Sequence, residues 1–569
     1  MMPSHTTTPI TLATALSFAF SLPVTGTQAA DLLITNATIY TVNPAQPWAE
    51  AMVVDQGEII FIGKATEAES FSSETTQVID LNGKFVMPGI HDVHMHPLEA
   101  GNLAAGTCML EAGRDPETYH EEFIDCAPRQ IGTNWVLGWG HYIGDLLDTA
   151  RPPIEILDQS INDRPALMME FTSHSHWANS QALEAAGITA DTPNPPGGII
   201  VKDPDTGQPN GILIDNAGMM IEANAHKKTP QFMDLMYEGL LENLELLAEN
   251  GITSAVDARS YWTRNHHTVW QRAEREETLT ARVNLALWAY PELADDQMET
   301  MKSLYSNNPD RLLRINQIKV YSDGIVGNTT AKMKAPYKAD LGLGIEGNKG
   351  LNYFNEERLT TFMTELEQTG FDFLIHTIGD QAVHESLNAI EKVRSRNGLA
   401  VDRRHRLTHV EIADPLDLPR FQQLDTVADF QVAGDWTFPE EYAPEGELIG
   451  DRANNPIPLR TVYDTGARIT LSSDYDVSPM NPFIGMEHAL TRGTEALPDL
   501  ASVIEAYTVN GAYSMRQEDR VGSLEVGKLA DFIVLDQNLF EVSTDRISST
   551  KVLATFLEGE NIYQAQAFP

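Results

Sequence analysis

Val86-Met-Pro-Gly-Ile-His-Asp-Val-His-Met-His-Pro97 is the stretch on which the reading of this chain turns. An apolar approach, Phe85-Val86-Met87, leads to His94-Met95-His96 and stops at Pro97. In an extended strand residues i and i+2 leave the same face, so His94 and His96 can reach one metal ion. The residue before a proline avoids helical backbone, which makes His96 the end of the strand. Alone, a His-x-His triplet describes incidental surface histidines as well as it describes a metal site. The surrounding chain has to separate the two.

With 569 residues the chain is too long for one compact core, and two to four domains are expected. Its 39 Lys+Arg against 81 Asp+Glu give a net charge of −42. Such a field repels phosphate and argues against nucleic acid or anionic membranes as partners. Ile10 to Val24 is apolar or small, and Thr25-Gly-Thr-Gln-Ala-Ala30 resembles a small-residue cleavage site. Residues 1–30 therefore read as an export leader, with a periplasmic or secreted destination and no membrane insertion once it is removed. No Lys or Arg precedes Lys64, so the usual positive start of such a leader is missing. Cys108 and Cys126 are the only cysteines; they either pair with each other or stay as two buried thiols.

From Asp31 to Asp80 the pattern is one of short strands and turns: Leu32 to Tyr40, Ala51 to Val54 and Glu58 to Ile62. The far end repeats it with Phe532-Ile-Val-Leu-Asp536 and Val552 to Leu557. Two β-rich ends around a long middle suggest one small β-sandwich domain built from 31–84 and 516–569. Between them apolar runs alternate with helical patterns, as a parallel sheet with crossover helices requires. The runs are Phe85 to His94, Thr253 to Asp257, Val283 to Trp288, Ile315 to Tyr321, Phe373 to His376, Arg406 to His409, Val427 to Gln431 and Ile469 to Ser472. Such repetition fits an α/β fold, a (β/α)8 TIM-like barrel over 85–515, with its active site at the strand C-terminal ends. The stretch from about 98 to 250 is too long for one loop, so it is read as an inserted α/β subdomain. Within it Asp234 to Ala248 reads as an amphipathic helix ended by Asn250-Gly251.

Several strands finish on groups that bind metal or move protons: Lys319, His376, His409 and Asp474. Each has a bland explanation, a hydrogen-bonded core histidine or a lysine reaching the rim. Together with His94 and His96 they place one kind of chemistry at one end of one barrel.

Here the chain resembles the amidohydrolase superfamily, in its amidohydrolase family 3 or YtcJ-like branch. The motifs are Pro88 to Pro97, His174-Ser-His-Trp-Ala-Asn-Ser180, Gly197 to Asp203, Lys319-Val-Tyr-Ser-Asp-Gly324, His376-Thr-Ile-Gly-Asp380 and Leu524 to Asp531. The resemblance implies a divalent metal cofactor, Zn2+ first, as one or two ions. His94 and His96 would bind the first, His376 and His409 the second, and Lys319 would bridge as a carbamate. Asp474 would bind metal and act as the catalytic proton shuttle. A free ammonium has no lone pair to ligate, so a bridging Lys319 must be modified or neutral. In this family the inserted subdomain covers the barrel mouth, and His174, Trp177 and, more weakly, Trp139 are the candidates for substrate contact. Asp323 and Asp380 are expected to orient strands or ligands, and His266-His267 to be structural.

Three positions depart from the family pattern: Thr408 replaces a Glu, Gln381 an Arg and Ser472 a Gly. None is an implied ligand. The activity implied is hydrolysis of an amide-type C–N bond in an N-acyl amine or related small molecule. Ester or lactone hydrolysis, and a non-catalytic binding or regulatory role, are the alternatives. A homodimer is compatible with all of them.

Overall fold

In the computed structural model the described residues are 30–569, apart from 104–106, 131–132, 227, 340, 342 and 344. Almost all of the expected leader lies outside them. A parallel sheet of eight strands follows chain order: Ile90–Met95, Ile252–Ser260, Arg282–Trp288, Leu313–Tyr321, Asp372–Thr377, Arg406–His409, Val427–Gln431 and Ile469–Ser472. Strands one to eight below are these. Every residue of each is buried, as in a barrel filled inside and covered outside by helices. Beyond strand eight the backbone N–H of Asp474 donates to the His94 carbonyl (2.8 Å) and that of His96 to the Tyr475 carbonyl (2.6 Å). These bonds tie the last strand to the first at the end that carries the histidines.

The terminal domain is a pair of sheets, one of four strands and one of six, around a shared core that includes Ile34, Ile39, Val86, Phe532 and Phe556. The apolar run at Phe85 to His94 divides at Gly89. Phe85–Pro88 pairs with Phe532–Leu535 in the terminal domain, and Ile90–Met95 is the barrel strand. The close approach of Thr253 decides the division: a Cβ on Gly89 would lie 2.1 Å from the Thr253 hydroxyl.

The insertion carries its own six-stranded sheet, from Cys108–Met109 to Pro209–Asp215. Cys108 and Cys126 are disulfide-bonded within it. The subdomain sheet and its helices end by Ala225, and Pro230–Glu249 packs beside the barrel as a barrel helix. Thr229 caps that helix through the Phe232 N–H, and Pro230 opens it. This helix meets Pro97–Leu103 at glycine: a Cβ on Gly101 would lie 2.4 Å from the Gly239 carbonyl carbon. A segment following strand four reaches back as well, packing Leu341, Leu343, Ile345 and Leu351 on the subdomain core.

Candidate metal centre and active-site cavity

The ends of strands one, four, five and six and the turn after strand eight deliver the side chains, because a barrel strand end presents its last inward residue at the mouth. His94 Nε2 and His96 Nε2 stand 3.4 Å and 3.1 Å from Asp474 Oδ1. Within the described residues this trio is a group compact enough to hold a metal ion. His409 Nδ1 is 4.0 Å from Asp474 Oδ2, and its ring lies 4.5 Å from that of His376 and 5.0 Å from that of His94. Lys319 Nζ is 2.9 Å from His94 Nε2. The structure thus brings all six residues together. His409 and Asp474 both take left-handed backbone, φ 70° and 55°, a costly conformation for non-glycine residues that clusters at sites where aim matters more than local stability.

Burial pushes the His94, His376 and His409 imidazoles well below their usual pKa, so they are neutral and have lone pairs to offer. Burial also lowers the Lys319 ammonium to about 7 against the pull of Asp474. For Asp474 burial opposes ionisation, but the surrounding His94, His96 and His409 outweigh it and hold the carboxyl well below the usual range. His376 Nε2 is 3.2 Å from the Gly324 carbonyl, while its Nδ1 is buried without a partner among the described residues. Buried neutral imidazoles, one with an orphaned nitrogen, converging on an ionised carboxylate are the donor set a divalent cation needs.

A layer behind these side chains was not read from the sequence. Asp429 Oδ2 lies 3.5 Å from His94 Nδ1, the position from which a carboxylate fixes an imidazole with Nε2 turned to a metal. Gln431 Oε1 accepts the His409 backbone N–H (3.0 Å), and its Nε2 donates to Asp429 (2.8 Å) and to Ser472 Oγ (2.8 Å). Ser472 Oγ in turn donates to Asp429 Oδ1 (2.9 Å). The departure from glycine at 472 is therefore used, as a link between strands seven and eight. Thr408 and Gln381 take no part in this layer; Gln381 bonds Glu385 on its own helix. Asp323 accepts the N–H groups of Ile378, Gly379 and Lys332 (2.8–3.0 Å), which shapes the turn beyond His376.

Above the six residues is a cavity of about 360 Å³. His174 lines it; its Nδ1 is 2.5 Å from Asp215 Oδ1, and its ring stacks on Tyr321, itself stacked on His376. Trp177 is placed differently from the expectation that it contacts substrate. It is fully buried in the subdomain core, its indole N–H donates to the Pro153 carbonyl (2.9 Å), and it packs against Phe123 and His141. Alternation along Ser175–Ala178 turns it away from the cavity. Trp139 also misses the main cavity and faces a smaller one of about 80 Å³ next to it. Arg259, at the end of strand two, lines both. It went unread because its meaning depends on tertiary partners: Nε donates to Glu99 Oε2 (2.9 Å) and Nη1 to the Tyr321 hydroxyl (3.0 Å).

A family profile described as "Amidohydrolase family" matches residues 77–563. The chain belongs to the amidohydrolase family. It is 27% identical over 557 residues to the putative amidohydrolase YtcJ of Bacillus subtilis, covering 92% of this chain and 98% of that one. It is 26% identical over 571 residues to the N-substituted formamide deformylase of Arthrobacter pascens, covering 95% and 99%. Among solved structures, an uncharacterised metal-dependent hydrolase from Pyrococcus horikoshii OT3 superposes with a TM-score of 0.71 at 22% identity, covering 90% of this chain and 99% of that one. At that identity the superposition speaks for the fold alone. Family membership supports a metal-dependent hydrolase.

Proposed function

We propose that this amidohydrolase cleaves the amide-type C–N bond of an N-acyl amine. The observation that carries the reading is the meeting of His94 Nε2, His96 Nε2 and Asp474 Oδ1 at the floor of a cavity large enough for a small molecule. Similarity over nearly its whole length to a relative named as a formamide deformylase supports the bond type.

His94, His96 and Asp474 would hold a first ion, with Zn2+ the choice for such a donor set. His376 and His409 would hold a second, with Lys319 between the two sites as its carbamate. A divalent cation there supplies a positive charge that polarises the amide carbonyl and acidifies water. Asp474 is the proton carrier: its carboxylate, ionised and at the cavity wall, accepts the proton of the attacking water and returns it to the leaving nitrogen. Tyr321 and His174 form a stacked wall that holds the acyl end over the histidines. The leader-like sequence pattern at 1–30 and the disulfide at Cys108–Cys126 support export to an oxidising compartment.

The test is amine release from a panel of N-formyl and N-acetyl amines and matched esters by zinc-loaded protein, with metal content measured alongside. Release from amides, lost together with metal in His96→Ala, is expected. Full metal occupancy with no amide turned over defeats the reading.

A further inference from the structure

Charge is divided unevenly along the cavity. Arg259, the one cation lining it among the described residues, is already matched by Glu99 near the histidines. The segments that follow strands six and seven add Glu411, Glu441 and Glu445 to the lining, none of which forms an ion pair among the described residues. Glu411 is 6% exposed. It accepts the Tyr442 hydroxyl (2.9 Å). Glu445 stands 3.6 Å from where a side chain on Gly327 would begin. Its Oε2 is buried with no hydrogen-bond partner among the described residues, and burial raises its pKa.

Next to Gly327, Asn328 is fully buried. It gives Nδ2 to Glu170 (3.0 Å) and leaves Oδ1 without a donor among the described residues. Trp436 and Tyr442 add aromatic faces.

This end of the cavity is rich in acceptors and short of donors and positive charge. Glu445 Oε2 and Asn328 Oδ1 are already shut off from water without a donor, a cost that a ligand bringing N–H groups can relieve and an apolar one cannot. A carboxylate would meet like charge. A primary ammonium brings three N–H donors and a charge that aromatic faces attract.

We propose that the outer half of the cavity is an ammonium-binding subsite centred on Glu445 and Asn328, and that the substrate is an N-acyl amine carrying a second, primary amine at its far end. The chain between would lie along the cavity, with the acyl group over His376 and His409. This rests on the hydrolase reading above.

The experiment compares mono-N-formyl-1,5-diaminopentane with N-formylhexylamine, its neutral isostere, on zinc-loaded protein. Binding of pentylammonium is measured in parallel by calorimetry. We expect kcat/KM to favour the charged formamide by about tenfold or more, the scale of a desolvated charged hydrogen bond. Glu445→Gln should bring the ratio close to one and weaken pentylammonium binding by a similar factor. Glu357→Gln, the same charge change at an exposed position of a barrel helix, controls for the net field and should keep the preference. If neither formamide is hydrolysed but pentylammonium binds and Glu445→Gln abolishes that binding, the subsite stands and the hydrolase reading fails. Turnover of both formamides at equal kcat/KM, with pentylammonium binding unchanged in Glu445→Gln, overturns the subsite and leaves the hydrolase reading intact.

Discussion

Replacing Asp474 with Asn separates two jobs given to one carboxylate. Asparagine keeps the shape and an oxygen that can sit where Oδ1 does, 3.1 Å from His96 Nε2 and 3.4 Å from His94 Nε2. Its backbone N–H still donates to His94, so the link between the first and last strands is kept. What disappears is a group able to take up a proton between His96 and His409. Lost general acid–base transfer lowers turnover by about 10²–10⁴, or roughly 3–5 kcal/mol of transition-state stabilisation. With zinc in excess, metal content measured by atomic emission should stay near the parent value while kcat falls on that scale. The fall should be smaller for a nitrophenyl ester, whose leaving group needs no proton. A kcat within about threefold of the parent at full occupancy, or an equal loss on both substrates, would refute the proton-carrier role.

Asp429→Asn should keep the fold and weaken zinc affinity by about 10–100-fold, since the carboxylate that fixes His94 is lost; a competitive chelator titration reads it. Gly239→Ala forces a methyl against the Gly101 backbone. Overpacking of that kind costs about 1–3 kcal/mol, so the melting temperature should drop by a few degrees and zinc binding should weaken, because Gly101 sits in the helix that follows His96. His141 is buried, which lowers its pKa to about 3. The unfolded state then takes up the proton first, so the stability this residue contributes is complete above its ordinary pKa and is lost as pH falls from there toward 3. Between pH 7 and 5 the loss is about 2 kcal/mol, and His141→Phe should flatten the pH dependence of urea unfolding by that amount.

The barrel was legible because each strand is a short apolar run ended by a chemically distinctive residue, and the alternation repeats. The insertion was legible from length alone, but its far boundary was not. Pro230–Glu249 has the same amphipathic pattern whether it belongs to the subdomain or to the barrel, and only its packing beside Pro97–Leu103 decides. The division of Phe85 to His94 at Gly89 depends on Thr253, more than 160 residues away. Trp177 misled because the resemblance puts the inserted subdomain over the mouth without saying which way each of its side chains faces, whereas strand alternation fixes the face it takes. Asp429 and Gln431 occupy alternate positions of one strand, a pattern that carries meaning only once His94 and His409 are known to lie beside it.

The lacing of Leu341, Leu343, Ile345 and Leu351 onto the inserted subdomain bears on traffic. A roof joined to its house only by its own two connecting segments can swing; one also stitched to the excursion after strand four cannot move without tearing apolar contacts on that side. Ligands then have to come and go through the opening the cavity already has. The rate of the cycle would be set by passage through that opening and by chemistry, and solvent viscosity would act on it only through diffusion.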